Sequence, residues 1–92
     1  MLIKVKSFAS LRNVMDKEVD IEIPEGADIS RLLELLCRRY EGLYDELFDR
    51  KGSLKDYVNI LKNGRNIYFL DDLATRLEDG DIITIFPPVA GG

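Results

Sequence analysis

Two runs near the start of the chain alternate between apolar and polar residues, at residues 2–8 and at residues 18–23. Successive side chains of a β-strand point to opposite faces, so this period of two predicts two strands, each with one buried face. The polar residues 13–17 between them predict a turn. The residues on the buried faces are Ile3, Val5 and Ser7 in the first run, and Val19, Ile21 and Ile23 in the second.

A helical period replaces the alternation after the breaker at residues 24–26. Apolar residues recur every three or four positions as far as residue 40, which places them on one side of a helix. Asp28 stands where an N-cap residue belongs, because its carboxylate can accept a hydrogen bond from the first turn. We therefore predict an amphipathic helix that packs on the sheet. Its apolar positions are Ile29, Leu32, Leu33, Leu36, Cys37 and Tyr40.

The middle of the chain carries weaker signals. Residues 41–56 mix a few apolar residues with glycines and charges, and we expect a short helical turn followed by an exposed loop. Two strands are predicted at residues 57–62 and 66–69. Asn63 and Gly64 between them predict a tight hairpin turn.

The last strand is predicted at residues 82–86, and Pro87 and Pro88 end it because proline lacks the N–H that a ladder needs. Residues 71–81 are too short and polar for the second full helix that a ferredoxin-like fold requires. We therefore predict an α+β fold of the β-grasp class, as in ubiquitin. It has a mixed sheet of four or five strands packed against one main helix.

The bulk properties fit one soluble domain. We assign residues 1–86 of the 92 to the domain and residues 87–92 to a flexible tail. No apolar run approaches the roughly 18 residues of a spanning helix, and charges interrupt the N-terminal apolar residues, so we expect a cytoplasmic protein with no membrane contact. The net charge of −4 disfavours nucleic acid as a partner.

The residue types offer little catalytic chemistry within the chain. There is no histidine and only one cysteine, so the usual combinations for metal sites and catalytic triads are missing. We predict that Cys37 is a buried structural thiol, because it lies among the apolar helical positions. Asp79 and Asp81 flank Gly80, which predicts a turn rather than a metal site.

The C-terminus is the exception. A tail that begins at Pro87 spans about 20 Å when extended, and Gly91 and Gly92 have no side chains to prevent entry into a narrow channel. The terminal α-carboxylate is ionised at pH 7. It is a poor acyl donor until its oxygen becomes a good leaving group, which invites activation by a nucleotide-using partner.

Three segments resemble one known family. Residues 86–92 read FPPVAGG, residues 77–81 read L-x-D-G-D, and residues 8–12 read F-A-x-L-R. Together they resemble the small, sulfur-carrying subunit of molybdopterin synthase, a ubiquitin-like family, over essentially the whole chain.

This resemblance implies a non-catalytic carrier that binds no cofactor. An E1-like adenylating enzyme would use ATP to adenylate Gly92, and sulfur would replace AMP to give a thiocarboxylate. The large subunit of molybdopterin synthase would hold the tail in its active site while sulfur passes to the pterin precursor, forming the dithiolene of the molybdenum or tungsten cofactor. The tail residues concerned are Pro87, Pro88, Val89, Ala90, Gly91 and Gly92.

Other functions remain open at this stage. Archaeal relatives with the same ending resemble ubiquitin-like modifiers, which would join target proteins at lysines through Gly92. The thiazole-pathway sulfur carrier shares the Gly-Gly end, but its chains are usually shorter and lack the Phe-Pro-Pro segment. An interaction module with an inert tail is a further alternative.

The alternation of side chains along the strands predicts a partner-binding surface. Phe8 and Phe86 alternate with inward-pointing residues, so we expect both on the helix-free face, beside the root of the tail. Tyr57 should lie close by if the third strand runs antiparallel to the last. Alternatively, residues 41–56 cover these rings.

Overall fold

The computed structural model of the protein describes residues 1–87. The predicted tail at residues 87–92 therefore falls outside the described residues except for Pro87. Among the described residues, no helix has the length and apolar character needed to cross a membrane.

Five strands form one mixed sheet in the order β2-β1-β5-β3-β4. The central pair, β1 and β5, is parallel, whereas β2 is antiparallel to β1, and β3 is antiparallel to both β5 and β4. The predicted mixed sheet is confirmed. The strands are β1 (Leu2–Ser7), β2 (Glu18–Glu22), β3 (Asn59–Lys62), β4 (Arg65–Asn66) and β5 (Ile82–Phe86).

One main helix, α1 (Ile29–Arg39), packs its apolar side on the sheet, as its sequence period predicts. Asp28 is the N-cap, and its side chain accepts a hydrogen bond of 2.9 Å from the Arg31 N–H. A short helix, α2 (Leu43–Leu47), follows and buries both of its leucines beside α1. The remaining short elements are 3₁₀ turns at Ala9–Asn13, Ile67–Phe69 and Asp72–Ala74.

The hairpin formed by β3 and β4 is shorter than predicted. The strand expected at residues 66–69 is wrong, because β4 ends at Asn66 and a 3₁₀ turn follows. The Asn66 side chain accepts a 2.9 Å hydrogen bond from the Tyr68 N–H, and this local bond takes the place of further ladder pairing. The third strand also starts later than predicted, at Asn59, because Tyr57 adopts a positive φ of 72°.

The core fills the space between α1 and the inner face of the sheet, and it includes the predicted apolar strand residues and the predicted helix positions up to Leu36. Tyr40, the last predicted helix position, is only partly buried. The prediction that Cys37 is buried is wrong. The residue is partly exposed, because it lies at the edge of the apolar side of α1.

Asp81 holds the start of β5 against the β3–β4 hairpin. Its buried carboxylate accepts hydrogen bonds from the Glu78 N–H at 2.8 Å and from Asn63 Nδ2 at 2.9 Å. Lys62 Nζ lies 3.4 Å from the same carboxylate. Residues 79–81 form the predicted turn, with Gly80 at a φ of 87°.

Replacing Asp81 with alanine should lower the free energy of unfolding by about 1–3 kcal/mol, because the Glu78 N–H and Asn63 Nδ2 lose a charged acceptor. Lys62 keeps its bonds to the Arg76 carbonyl and to Glu78. Urea denaturation measures this loss. The exposed carboxylate of Asp20 on β2 provides the control, since Asp20→Ala should change stability by less than about 0.5 kcal/mol. Equal stability of the two variants would contradict a structural role for the network.

Candidate functional site

The predicted tail follows the central strand of the sheet. β5 has a hydrogen-bonded neighbour on each side, and its Ile83 and Ile85 side chains are fully buried. Phe86 lies opposite Asn59 of β3, and Pro87 is buried. The position of Pro87, the last described residue, is therefore fixed by the core.

Phe8 and Phe86 stack on each other at this point. Their ring centroids are 4.7 Å apart and the ring planes differ by 18°. The contact follows from the parallel register, which pairs Ser7 with Ile85 and so brings the next residues of β1 and β5 side by side. Because Ser7 and Ile85 are buried on the helix side, both rings lie on the opposite face. Both rings are half-buried.

α2 does not share this face. Its Leu43 and Leu47 join the core on the helix side of the sheet. The stack of Phe8 and Phe86 is thus available on the outer face of the domain, next to the root of the tail.

Arg12 extends the aromatic stack, a role that the sequence did not predict. Its guanidinium carbon lies 5.1 Å from the centroid of the Phe8 ring, within reach of a cation–π interaction. Its Nε donates a 3.1 Å hydrogen bond to the Ser7 carbonyl, which holds the guanidinium over the ring. The only sequence signal was the presence of Arg12 in the F-A-x-L-R segment.

A cleft of about 270 Å³ adjoins Phe8 and Arg12. Lys6 and Lys17 also line it, with Glu18 as its single acidic residue. The apolar stack therefore has a basic border on the β2 side, which suits a partner surface with an apolar centre and acidic surroundings.

Tyr57 lies on the other side of the tail root. The register places it two positions beyond the pair of Asn59 and Phe86. Within residues 1–87 its ring stacks on no other aromatic ring, and it borders a different groove, between β3 and the turns after β4. The structure thus brings two of the three predicted rings together and places the third nearby. Pro88, Val89, Ala90, Gly91 and Gly92 lie outside the described residues.

Comparison with known proteins gives the family. Residues 5–92 match the ThiS family. Small archaeal modifier protein 3 of Haloferax volcanii is 40% identical to this chain over 93 residues, with 100% of both chains covered. This chain belongs to the ThiS family.

Other relatives of this ThiS-family protein fall into two groups. The molybdopterin synthase sulfur carrier subunit of Mycobacterium tuberculosis is 27% identical over 92 residues, which cover 98% of this chain and 96% of that protein. The crystal structure of small archaeal modifier protein 1 of Haloferax volcanii superposes with a TM-score of 0.89 at 29% identity, covering 100% of both chains. The predicted family and its ubiquitin-like β-grasp fold are thereby confirmed, and the family contains both sulfur carriers and small archaeal modifiers.

Cys37 of the ThiS-family chain lies on α1, and partial burial raises the pKa of its thiol. The thiol therefore keeps its proton near neutral pH and is a poor nucleophile. Tyr40, at the end of the same helix, donates a 2.7 Å hydrogen bond to Asp16. Burial is the main cause that raises the pKa of Tyr40, so this phenol also stays protonated.

Replacing Cys37 with alanine should leave any loading of sulfur onto the chain unchanged, because a protonated thiol on the helix is unsuited to relay sulfur. Intact-mass spectrometry of C37A and the unaltered chain after the same loading reaction would measure the fraction carrying sulfur. A large drop in that fraction for a folded C37A variant would show that the thiol takes part.

Proposed function

We propose that the protein is a non-catalytic carrier whose chemistry takes place at the carboxylate of Gly92. An E1-like enzyme supplies the activation: the carboxylate attacks the α-phosphorus of ATP and displaces pyrophosphate, which gives an acyl-adenylate. A hydrosulfide equivalent then attacks the acyl carbon and displaces AMP. The product is a thiocarboxylate on Gly92.

The observation that carries this proposal is the exit of the chain from β5. The last core strand ends beside the stacked Phe8 and Phe86, and only five residues follow Pro87. A partner that binds the stack is therefore within reach of the terminal glycines. This would separate docking on a folded surface from chemistry at the chain end. Support for a carrier comes from relatives that are named sulfur carriers.

For the destination of the sulfur, we propose the dithiolene of molybdopterin. In this role the large subunit of molybdopterin synthase binds the stack and accepts the tail. The thiocarboxylate sulfur attacks a carbon of the pterin precursor and displaces an oxygen leaving group, which gives an acyl thioester. Water then cleaves the bond between the acyl carbon and sulfur, which leaves the sulfur on the pterin and regenerates the Gly92 carboxylate. The support is the full-length similarity to a molybdopterin synthase sulfur carrier subunit.

A second candidate is protein modification. The relative with 40% identity over the entire chain is named a small archaeal modifier protein. In this role the ε-amine of a target lysine attacks the activated acyl carbon of Gly92, and an isopeptide bond forms as the leaving group departs. Both functions share the activation of Gly92 and differ only in the acceptor.

The shared step predicts that Gly92 is indispensable. Incubation with an E1-like enzyme from the same genome, ATP and sulfide should raise the intact mass by the difference between one sulfur and one oxygen atom. Deleting Gly92, or replacing Gly91 with a bulky residue, should abolish the gain and change stability by less than about 1 kcal/mol, because both residues follow the last core strand. Sulfur loading of the chain without Gly92 would contradict the proposal.

The acceptor can then be identified with the loaded chain. Release of sulfur to a pterin precursor in the presence of the large synthase subunit supports the carrier function. Conjugates joined through Gly92 to lysines of other proteins support the modifier function.

The stacked aromatics predict a separate effect on docking. Phe86→Asp should weaken binding to the activating enzyme or the large subunit by about 2 kcal/mol or more, if the ring is an interface hot spot. Calorimetric titration measures the affinity, and Tyr44→Asp on α2 provides an exposed aromatic control. Unaltered affinity of a folded F86D variant would show that the stack is not part of the interface.

A further inference from the structure

A groove of about 640 Å³ lies between the start of β3 and the turns that follow β4. Residues 54–60 form one wall, and residues 66–69 with 72–73 form the other. Its volume is within the range of roughly 300–1,000 Å³ that ligand sites occupy. It is separate from the stack of Phe8 and Phe86.

The most exposed aromatic side chains among the described residues line this groove. Tyr57, Tyr68 and Phe69 are 72%, 73% and 76% exposed. Tyr68 and Phe69 meet edge to face, with centroids 5.1 Å apart. Three exposed aromatic side chains around one concavity form an unusual surface for a free domain, and covering them would be favourable.

Two residues of the groove adopt a backbone conformation that their side chains disfavour. Tyr57 has a φ of 72° and Asp72 a φ of 53°. A left-handed conformation costs a non-glycine residue about 1–2 kcal/mol, and it is rarest for bulky residues. The Tyr57 ring gains no burial from this strain. Strain that exposes a ring instead of packing it is typical of a binding site.

The edge of β3 is covered beside this groove. β4 ends at Asn66 after pairing with only two residues of β3, and the 3₁₀ turn at Ile67–Phe69 then packs against β3. Ile60 of β3 is buried beneath this turn. The exposed side chains of the groove, rather than a strand edge, therefore form its binding surface.

The charged residues of the groove favour a positively charged ligand. Asp56 and Asp72 line it, both are exposed, and neither forms an ion pair with another residue among 1–87. Lys55 is the one cation of the lining, and its Nζ donates a 2.7 Å hydrogen bond to the Asp45 carbonyl. Carboxylates beside aromatic faces attract arginine and lysine side chains through both ion pairing and cation–π contact.

We propose that this groove docks a basic segment of a partner protein. An arginine or lysine side chain of the segment lies between the aromatic rings and the two carboxylates. This docking does not depend on the chemistry at Gly92, so it is compatible with both the sulfur-carrier function and the modifier function.

The test uses the full ¹⁵N-labelled chain and two blocked hexapeptides, one alternating valine and arginine and the other alternating valine and glutamate. The arginine peptide should shift the amide resonances of residues 57–60 and 66–69. Its affinity should exceed that of the glutamate peptide by about tenfold or more, the effect of one desolvated cation site.

Matched variants test the carboxylates. Asp56→Asn combined with Asp72→Asn should weaken the arginine peptide by about tenfold, and asparagine tolerates the positive φ at position 72. Asp20→Asn combined with Glu22→Gln removes the same two charges from β2, at the far edge of the sheet, and should leave the affinity unchanged.

Three results would overturn the proposal. The first is equal affinity for the two peptides, and the second is equal loss in the two double variants, which would reduce the effect to net charge. The third is a shift of the groove amides with protein concentration alone, which would make a second copy of the chain the occupant.

Discussion

The parallel pairing of β1 with β5 is the constraint on which the rest of the molecule depends. It places β5 in the middle of the sheet, so β5 ends next to the point where β1 enters the first turn. The same register brings Phe8 against Phe86 and leaves Arg12 over the ring. A shift of β5 by one residue would turn Phe86 into the core and expose Ile83 and Ile85, so core packing itself positions the outer surface.

The surfaces on the two sides of Pro87, where the predicted tail begins, differ in charge. Towards β2 it carries the aromatic stack with a basic border, and towards β4 it carries exposed rings with carboxylates. Partners of opposite charge can therefore approach the same chain end from opposite sides. The two surfaces share no lining residue, so contacts on one side do not compete with contacts on the other.

Sequence periodicity predicted the elements whose stability comes from a buried face. The helix after Asp28 and the alternating strands agree with the structure because burial and period determine both. The errors occur where a local hydrogen bond or an unusual φ decides the conformation, as at Asn66 and Tyr57. The contact of Arg12 with Phe8 depends on how a turn folds back, which no period encodes. The chemistry at Gly92 was inferred from the family resemblance, with the small residues of the tail as support, and it remains a prediction because the described residues end at Pro87.

The central position of β5 also has a mechanical consequence. A force applied through the tail acts along the axis of a strand that is bonded on both sides. Because β1 is parallel to β5, a pull between the two ends of the chain loads their hydrogen bonds in shear, all together rather than one after another. The domain therefore resists unfolding by a force applied at its C-terminus, where a covalently attached protein would pull on it.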